Sequence, residues 1–334
     1  MSDVLRRILD ETPVFLAPMA GVTDLPFRSL ALRHGVGLVV SEMVASGEML
    51  GAKPSARARA ALGIGEARTS VQLAGREPGP VAEAARMLEG QGARIVDLNF
   101  GCPAKKVTGA LAGAALMRDL DHAMRIVDAA VAAVRVPVTL KMRLGFDAGS
   151  LVAPALAARA EAAGVAMVAV HGRTRAQFYE GRADWAAVGA VRRATRLPLL
   201  VNGDVRGVAD AREALRLSGA DGVMIGRAAR GRPWLPGQIA DALAGRRPAP
   251  VPEGPALAAL VGAHYEAMLD FYGADLGLRV ARKHLGWYLA GRAGGATLRA
   301  RVITATDPRA VARALAAFAD LGPASDASGL GAAA

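Results

Sequence analysis

The sequence predicts an α/β fold, a (β/α)8 barrel followed by a small all-α helical domain. Short apolar runs alternate eight times with Ala-rich stretches of helical spacing. Each run is short enough for a strand that is buried on both faces, as the strands of a parallel barrel are. A polar residue ends seven of these runs, and the composition changes after about residue 245.

The predicted strands are distributed along the chain as a barrel requires. They are Val14–Ala17, Leu38–Ser41, Thr69–Gln72, Ile95–Leu98, Val138–Lys141, Met167–Val170, Leu199–Val201 and Val223–Ile225. Pro137 and Pro198 stand just before strands, where a preceding helix must end. An open doubly wound sheet is the competing fold. It would place a glycine fingerprint after the first strand, where the chain has Pro18-Met19-Ala20-Gly21 instead.

The domain boundaries follow from composition. The barrel is predicted for residues 1–244, and a linker with four prolines for residues 245–255. Residues 256–321 carry helical spacing without strand-like alternation, which predicts a helical domain. Small and polar residues from 322 to 334 predict a disordered tail.

Charge and cysteine content narrow the function classes. The net charge of +11 and the sequence pI of about 10.7 favour a polyanionic partner such as nucleic acid, although an Arg-rich genome-wide composition is an alternative source of the high pI. One cysteine excludes an intramolecular disulfide and fits a reducing compartment. No signal-like or membrane-spanning run is found, so we expect a cytoplasmic protein with no membrane partner and no metal site.

The polar residues at the strand ends point to one site. They are Glu42, Gln72, Asn99, Lys141, His171, Asn202 and Arg227. The carboxyl ends of barrel strands converge on one mouth, where barrel active sites lie. The last two strands are followed by Asn202-Gly203-Asp204 and Gly226-Arg227. Loops in this position often bind phosphate through glycine N–H groups and a helix start.

Lys141 indicates the rest of the ligand. It ends a buried strand, where an unpartnered ammonium is costly to desolvate, so it needs an anionic partner or forms a Schiff base. A reduced flavin carries negative charge near N1 and O2, and amides such as those of Gln72 and Asn99 suit the polar edge of its ring. A mouth with a phosphate site, a lysine and amides can hold a flavin mononucleotide.

Cys102 is the only cysteine and follows the fourth predicted strand. Gly101 and Pro103 flank it and make the chain turn there. Taken alone, it fits either a small buried hydrophobe or a ligand-facing thiol on a loop. In the helical domain, Arg279, Arg282 and Lys283 share one helix face, which fits either a solvated surface or RNA contact.

A series of motifs runs in a specific order from about residue 13 to residue 232. They are Ala17-Pro18-Met19-Ala20-Gly21-Val22-Thr23-Asp24, Ser41-Glu42-Met43, Val71-Gln72-Leu73, Asn99-Phe100-Gly101-Cys102-Pro103, Lys141-Met142-Arg143, His171-Gly172-Arg173-Thr174, Asn202-Gly203-Asp204 and Ile225-Gly226-Arg227. In this order they resemble the tRNA-dihydrouridine synthase family, in its bacterial B-type branch. Arg282-Lys283-His284, before Trp287-Tyr288, extends the resemblance into the helical domain.

The resemblance implies a flavin barrel with a helical tRNA-binding domain, and an FMN that NADPH (or NADH) reduces. It makes Cys102 the proton donor. The implied flavin contacts are Pro18, Met19, Ala20, Gln72, Lys141, His171, Asn202, Gly203, Asp204, Gly226 and Arg227. The candidate tRNA contacts are Asn99, Lys105, Lys106, Arg143, Arg173, Arg175, Arg282 and Lys283. His171 and Arg173 fit either the flavin phosphate or the substrate base.

The expected reaction reduces the C5=C6 bond of uridines in tRNA, with hydride from flavin N5 to C6 and a proton from Cys102 to C5. No protein partner is implied. Three alternatives stay open at this point. They are a flavin barrel acting on a free pyrimidine, like a dihydroorotate dehydrogenase, a non-catalytic tRNA-binding protein, and a flavin-free phosphate-binding barrel enzyme.

Overall fold

The computed structural model describes residues 3–63, 66–104, 107 and 111–323. The chain divides into two units, one of Met1–Ala228 with Leu235–Pro248 and one of Ala229–Trp234 with Ala249–Ala334. The domain boundaries from the sequence, with their linker, stay a prediction. Residues 324–334 of the predicted tail lie outside the described residues.

A closed sheet of eight parallel strands dominates the first unit, which confirms the predicted barrel. The eight barrel strands are β1 Val14–Leu16, β2 Leu38–Val40, β4 Thr69–Ala74, β5 Val96–Phe100, β6 Val138–Arg143, β7 Met167–His171, β8 Leu199–Asn202 and β9 Gly222–Ile225, and the sheet has a ninth, short strand, β3 Val44–Ala45. Pairing of β2 with both β1 and β4 closes the ring, and β3 is a short addition beside β4.

Several strands continue through the polar residues that end the apolar runs. The Asn99 Cα pairs with that of Lys141, Arg143 with His171, and His171 with Asn202. Because parallel pairing continues across these positions, their side chains occupy neighbouring places on one wall of the barrel. The polar residues are thus part of the sheet and share its rigidity.

Helices follow the strands around the barrel, as the alternating pattern predicts. They are α1 Asp3–Glu11, α2 Leu25–Arg33, α3 Ser46–Leu50, α4 Pro54–Ala60, α5 Pro78–Gly90, α6 Leu120–Ala133, α7 Ala153–Ala162, α8 Trp185–Ala194, α9 Val208–Ser218 and α10 Leu235–Leu243. Aspartates cap α2, α6 and α8, each accepting a backbone N–H of the first turn. Leu5 and Leu9 of α1 pack in one apolar cluster with Phe15, Met167 and Leu200 of the strands.

The second unit is helical in its described part. Its helices are α11 Gly254–Tyr272, α12 Ala274–Leu289, α13 Gly295–Thr304 and α14 Pro308–Leu315. They enclose an apolar core that includes Tyr265, Met268, Leu285, Val302 and Phe318. Among the described residues of the chain, no helix combines the length and the apolar character that a membrane span needs.

Candidate active site

The carboxyl end of the barrel carries a wall of buried polar side chains. Gln72, Asn99, His171 and Asn202 are each at most 8% exposed. Glu42, also buried, accepts the backbone N–H of Gly21 in the loop after β1. Burial of polar groups is tolerated only where hydrogen bonds replace water, and the following contacts supply them.

The loop after β5 holds Cys102 from both sides. The Asn99 Oδ1 accepts the backbone N–H groups of Gly101 at 3.1 Å and Cys102 at 2.9 Å. The Cys102 carbonyl accepts the N–H of Ala114 at 3.1 Å. Gly113 has φ +61°, and a Cβ there would lie 2.9 Å from the Cys102 carbonyl oxygen, so this close approach requires glycine. The thiol, partly exposed, therefore projects from an anchored backbone.

Asp97 lies beneath this loop and was not predicted as a site residue. Its two carboxylate oxygens accept Gln72 Nε2 and Thr139 Oγ1, each at 2.6 Å, and the Gln72 Oε1 accepts Asn99 Nδ2 at 2.7 Å. Burial raises the pKa of Asp97, against the opposing effect of these hydrogen bonds and of the Lys141 charge. The signal for Asp97 in the sequence is a carboxylate inside an apolar strand.

Lys141 extends toward β8. Its Nζ donates to Asn202 Oδ1 at 3.1 Å, and Asn202 Nδ2 donates to the Met224 carbonyl at 2.7 Å. Burial, and then the charge of Arg143, lower the pKa of the Lys141 ammonium to about 8. Among the described residues no ion pair to Lys141 is found, so a neutral amide is its hydrogen-bond partner. This is a site suited to an anionic ligand group.

Two arginines predicted to contact tRNA lie inside the barrel unit, each 1% exposed. Arg143 donates to the carbonyls of Gly101, Thr174 and Phe178, each at 2.8 Å. Burial lowers the pKa of Arg143 to about 10. These bonds connect the loop after β5 with the loop after β7.

Arg173 anchors the loop after β7 to that after β8. It pairs with Asp204 at 2.5 Å and donates to the carbonyls of Glu180 at 3.0 Å and Gly181 at 2.7 Å. Contact of Arg143 and Arg173 with tRNA stays a prediction, since both side chains bond to carbonyl groups of this chain and Arg173 also pairs with Asp204.

A compact corner forms where β7, β8 and β9 end. The Arg227 Nη2 lies 3.5 Å from Asp204 Oδ1, so Asp204 faces two guanidinium groups. Gly203 has φ +112°, and a Cβ there would lie 2.8 Å from His171 Cδ2. The backbone thus passes directly over the imidazole. The residues that were predicted to bind the phosphate therefore lie close together.

His171 is held as a neutral ring. Burial, together with the charges of Arg143, Lys141, Arg173 and Arg227, lowers its pKa well below the usual value. The Arg173 Nη1 lies 3.2 Å from His171 Nε2. Because a guanidinium only donates, Nε2 accepts and the ring proton resides on Nδ1.

Tyr179 is a second residue that the sequence analysis missed. Its side chain is on the exposed part of the loop after β7, 43% exposed. The guanidinium of Arg227 lies 4.7 Å from its ring centroid and that of Arg143 lies 5.6 Å away. A single aromatic residue in a polar loop forms no sequence pattern that would predict a site residue.

Pro18, Met19 and Ala20 form the turn after β1. The Met19 N–H donates to Thr23 Oγ1 at 2.9 Å, and the Met19 carbonyl accepts the N–H groups of Val22 and Thr23 at 3.0 Å. All three residues are at least partly exposed. Gly226, after β9, has open space at its Cβ position apart from Ala17 Cβ at 3.8 Å. These backbone segments leave room for a ligand beside them.

A cavity of about 800 Å³ opens among the loops that follow β4 to β7. Arg76, Arg118, Phe146 and Arg175 line it together with the acidic Glu77 and Asp119, and we call it the arginine groove. The guanidiniums of Arg118 and Arg175 lie 4.9 Å and 5.4 Å from the Phe146 ring centroid. Cationic groups around an aromatic ring are a surface that suits nucleic acid.

The other predicted tRNA contacts are divided between the units. Arg282 and Lys283 lie on α12 of the helical unit, where the Arg282 Nη2 donates to the Ala305 carbonyl at 3.1 Å and Lys283 is exposed. Lys105 and Lys106 lie outside the described residues.

Comparison with known proteins gives one consistent result. A family model described as dihydrouridine synthase (Dus) matches residues 15–321. A probable tRNA-dihydrouridine synthase of Rhodobacter capsulatus is 60% identical over 90% of this chain and 92% of its own. One from Rhizobium leguminosarum bv. phaseoli is 53% identical over 92% and 96%. A tRNA-dihydrouridine synthase B of Xanthomonas axonopodis pv. citri is 47% identical over 89% and 90%.

Proposed function

Because this chain belongs to the dihydrouridine synthase family and is an enzyme of its B-type branch, we propose that it reduces the C5=C6 bond of specific uridines in tRNA to 5,6-dihydrouridine. The observation that carries the proposal is the Cys102 thiol, anchored at the mouth of the barrel through Asn99 and Ala114. The names of the relatives supply the substrate class, and the site supplies an acid and an anion-binding lysine.

Cys102 is the proposed general acid. Reduction of a carbon–carbon double bond adds a hydride to one carbon and a proton to the other. In this proposal the thiol gives its proton to C5 of the uracil, and the resulting thiolate takes a proton from solvent before the next turnover. Thiols are weak acids that are mostly protonated at neutral pH, which suits proton donation. The anchored loop fixes the donor relative to the substrate.

The donor set of the mouth fits FMN. Lys141 suits the electron-rich edge of the ring, the corner of His171, Asn202, Gly203, Asp204, Gly226 and Arg227 suits its phosphate, and Gln72 with the Pro18-Met19-Ala20 turn suits the remaining ring edges. Held by these residues, FMN would supply the hydride for C6, with NADPH or NADH as the proposed source of its electrons. Lys141 stabilises negative charge on the ligand, and neutral His171 offers an Nδ1–H donor.

The tRNA substrate requires a basic surface and an unstacked base. A uridine inside a folded tRNA must leave its stack to enter the mouth. The arginine groove extends over the loops after β4 to β7, and we assign it, with Lys105, Lys106, Arg282 and Lys283, to tRNA contact. Asn99 and Arg143, next to Cys102, are proposed to contact the base. A cytoplasmic location is part of this proposal.

The decisive experiment uses Cys102→Ala with unmodified tRNA and NADPH. We expect the variant to bind flavin, seen as absorbance near about 450 nm, and to accept electrons at the wild-type rate. Dihydrouridine formation, measured by mass spectrometry of digested tRNA, falls by about 100-fold or more, the usual effect of losing a general acid. Wild-type dihydrouridine yield in this variant refutes the assignment of Cys102.

Two further outcomes contradict the proposal more broadly. Turnover of free uridine or orotate without turnover of tRNA assigns the barrel to a small-molecule reaction. A colourless protein that binds tRNA but takes up no FMN removes the redox function. Mapping dihydrouridine in tRNA from cells with and without this protein then identifies the modified positions.

A further inference from the structure

The strongest unassigned feature is a line of hydrogen bonds that runs from a buried carboxylate to the thiol loop. It begins at Asp97 on β5, passes through the amides of Gln72 and Asn99, and ends at the backbone of Cys102. We call this chain of three hydrogen bonds the relay. Its three links measure 2.6, 2.7 and 2.9 Å. Asp97 and both amides are buried, at 4%, 1% and 8% exposure.

The donor and the acceptor of each hydrogen bond follow from the groups at the two ends of the line, the backbone N–H groups and the Asp97 carboxylate. The backbone N–H groups of Gly101 and Cys102 only donate, so the Asn99 atom that faces them must be its oxygen. The Asn99 nitrogen therefore faces Gln72 and must donate, which requires the Gln72 oxygen there. The Gln72 nitrogen then faces Asp97, whose oxygen accepts. Rotating either amide by a half turn places two donors or two acceptors together.

We propose that Asp97 is a positioning residue for Cys102, because its acceptor sets the orientation of the Gln72 amide and through it the Asn99 oxygen that holds the thiol loop. Asp97 does not touch the substrate in this scheme. Thr139 Oγ1 donates to the second oxygen of the same carboxylate at 2.6 Å, so both oxygens of Asp97 have a hydrogen-bond partner. Buried networks of this kind are fully satisfied in only one arrangement, so they hold one geometry.

Two substitutions of Asp97 distinguish the loss of its hydrogen-bond acceptor from the loss of its charge. Asp97→Asn removes the charge but keeps an oxygen for Gln72, while its nitrogen can donate to the Thr139 hydroxyl, which also accepts. Asp97→Val removes the same charge and has no acceptor at all. Comparison of the two variants therefore reports on the hydrogen-bond relay at constant charge.

The measurement is the alkylation rate of Cys102 by chloroacetamide in the full-length protein as purified. Cys102 is the only cysteine of the chain, so the incorporated label reports on this thiol alone. We expect Asp97→Val to react about five-fold faster than Asp97→Asn, the factor that corresponds to one lost hydrogen bond. Thr139→Val is the matched control, because it removes a donor to Asp97 but leaves the Gln72 link, and we expect it to alkylate like the wild type.

A second variant tests the relay where Asp97→Val fails to fold, as judged by circular dichroism. Gln72→Met removes the middle link at similar side-chain length, and we expect it to be alkylated about five-fold faster than the wild type. Both proteins are saturated with FMN, so that the proposed flavin contact of Gln72 does not contribute to the difference. In the double variant Asp97→Val/Gln72→Met the effects do not add, since both break one relay. Equal alkylation rates in Asp97→Val and Asp97→Asn, or wild-type alkylation in folded Gln72→Met, overturn the proposal.

This inference deepens the proposed function, because it assigns what holds the proposed acid in place. Alkylation needs neither tRNA nor turnover, so its outcome is independent of whether dihydrouridine is the product. If Cys102→Ala retains activity but the alkylation rates behave as expected, the proposed chemistry fails while the relay stands. If the rates do not differ but Cys102→Ala is inactive, the relay is refuted while the proposed chemistry stands.

Discussion

The Lys141 ammonium donates to the side-chain oxygen of Asn202 at 3.1 Å, across the barrel mouth from β6 to β8. A partly buried cation whose hydrogen-bond partner is a neutral amide keeps part of its electrostatic potential for a ligand. This relationship gives Lys141 a testable role in binding an anionic group.

Replacement of Lys141 by Met removes this cation at similar side-chain length. We expect weaker FMN binding, because the electron-rich ring edge loses its charged partner. Equilibrium titration of the apoprotein with FMN, followed by quenching of flavin fluorescence, measures the affinity. Unchanged affinity together with unchanged reduction and turnover rates argues against this placement of Lys141.

The same interaction has a predictable pH dependence. The pKa of Lys141 in the folded protein is lowered to about 8 by burial. A ligand that prefers the ammonium form is bound most tightly below this pKa, and its affinity falls as the pH rises through it. We therefore expect FMN affinity in Cys102→Ser to decline above about pH 8, and the decline to be absent in Cys102→Ser/Lys141→Met. The serine background removes titration of the thiol.

The ion pair between the buried Arg173 and the partly exposed Asp204 is expected to stabilise the folded barrel. Asp204→Asn leaves Arg173, 2% exposed in its side chain, without its counter-charge. The expected loss of unfolding free energy is about 3 kcal/mol, measured by chemical denaturation. The exposed pair Arg216–Glu213 is the control, and Glu213→Gln should leave stability unchanged.

Acid titration gives an independent check of this pair. Burial alone raises the pKa of Asp204, but the hydrogen bond and charge of Arg173, with Ala183 N–H and Arg227, outweigh it and keep that pKa below its usual value. A carboxyl group of this kind stabilises the fold above its unfolded pKa, and the contribution is lost as pH falls through the folded value. Wild type should therefore lose more stability than Asp204→Asn on acidification below about pH 4. Parallel acid profiles of the two proteins contradict this.

Gly203 is expected to tolerate no side chain. At φ +112°, a Cβ would approach His171 Cδ2 and Ala183 Cβ to 2.8 Å. Gly203→Ala should lose about 2 kcal/mol or more of unfolding free energy, because the positive φ strains the backbone of an alanine and its Cβ is also too close to its neighbours. Gly79→Ala, in the first turn of α5, is the matched control, because nothing lies within 4 Å of the added Cβ, and it should keep wild-type stability. Equal stability of the two variants disproves the close approach.

The arginine groove is expected to contribute to tRNA affinity through charge. Arg118→Ala and Arg175→Ala should each lower the magnitude of the slope of log affinity against log salt by about 1, since each removes one phosphate contact. Filter binding of tRNA over a range of salt concentrations measures the slope. Arg216→Gln, on the exposed surface of α9, controls for the change in net charge. A slope that changes equally in all three variants assigns the effect to net charge alone.

The barrel could be predicted because its pattern is local. Short apolar runs such as Leu199–Val201 indicate strands through their length and composition, and parallel strands must bring their ends to one face. Residues at those ends, such as Gln72 and His171, could therefore be grouped before any distance was known. Tyr179 could not, because its place depends on the path of the loop after β7.

Arginine side chains show most directly what could not be predicted from the sequence. Arg143 is the last residue of β6, Arg173 and Arg175 follow β7, and the three look alike in the sequence. The first two turn inward onto backbone carbonyls, while Arg175 lines the groove beside Phe146. A long cationic side chain can do either, and only the positions of distant acceptors decide between them.

The sequence by itself determined the fold class, the strand ends that meet at the mouth and the single thiol beside them. These follow from hydrophobic spacing and residue type, which act over a few neighbouring positions. The tertiary structure alone decided the partners of Asp97, the neutral state of His171 and the inward course of Arg143. Those depend on hydrogen bonds and burial between residues far apart in the chain, such as Asp97 and Thr139, which no local pattern encodes.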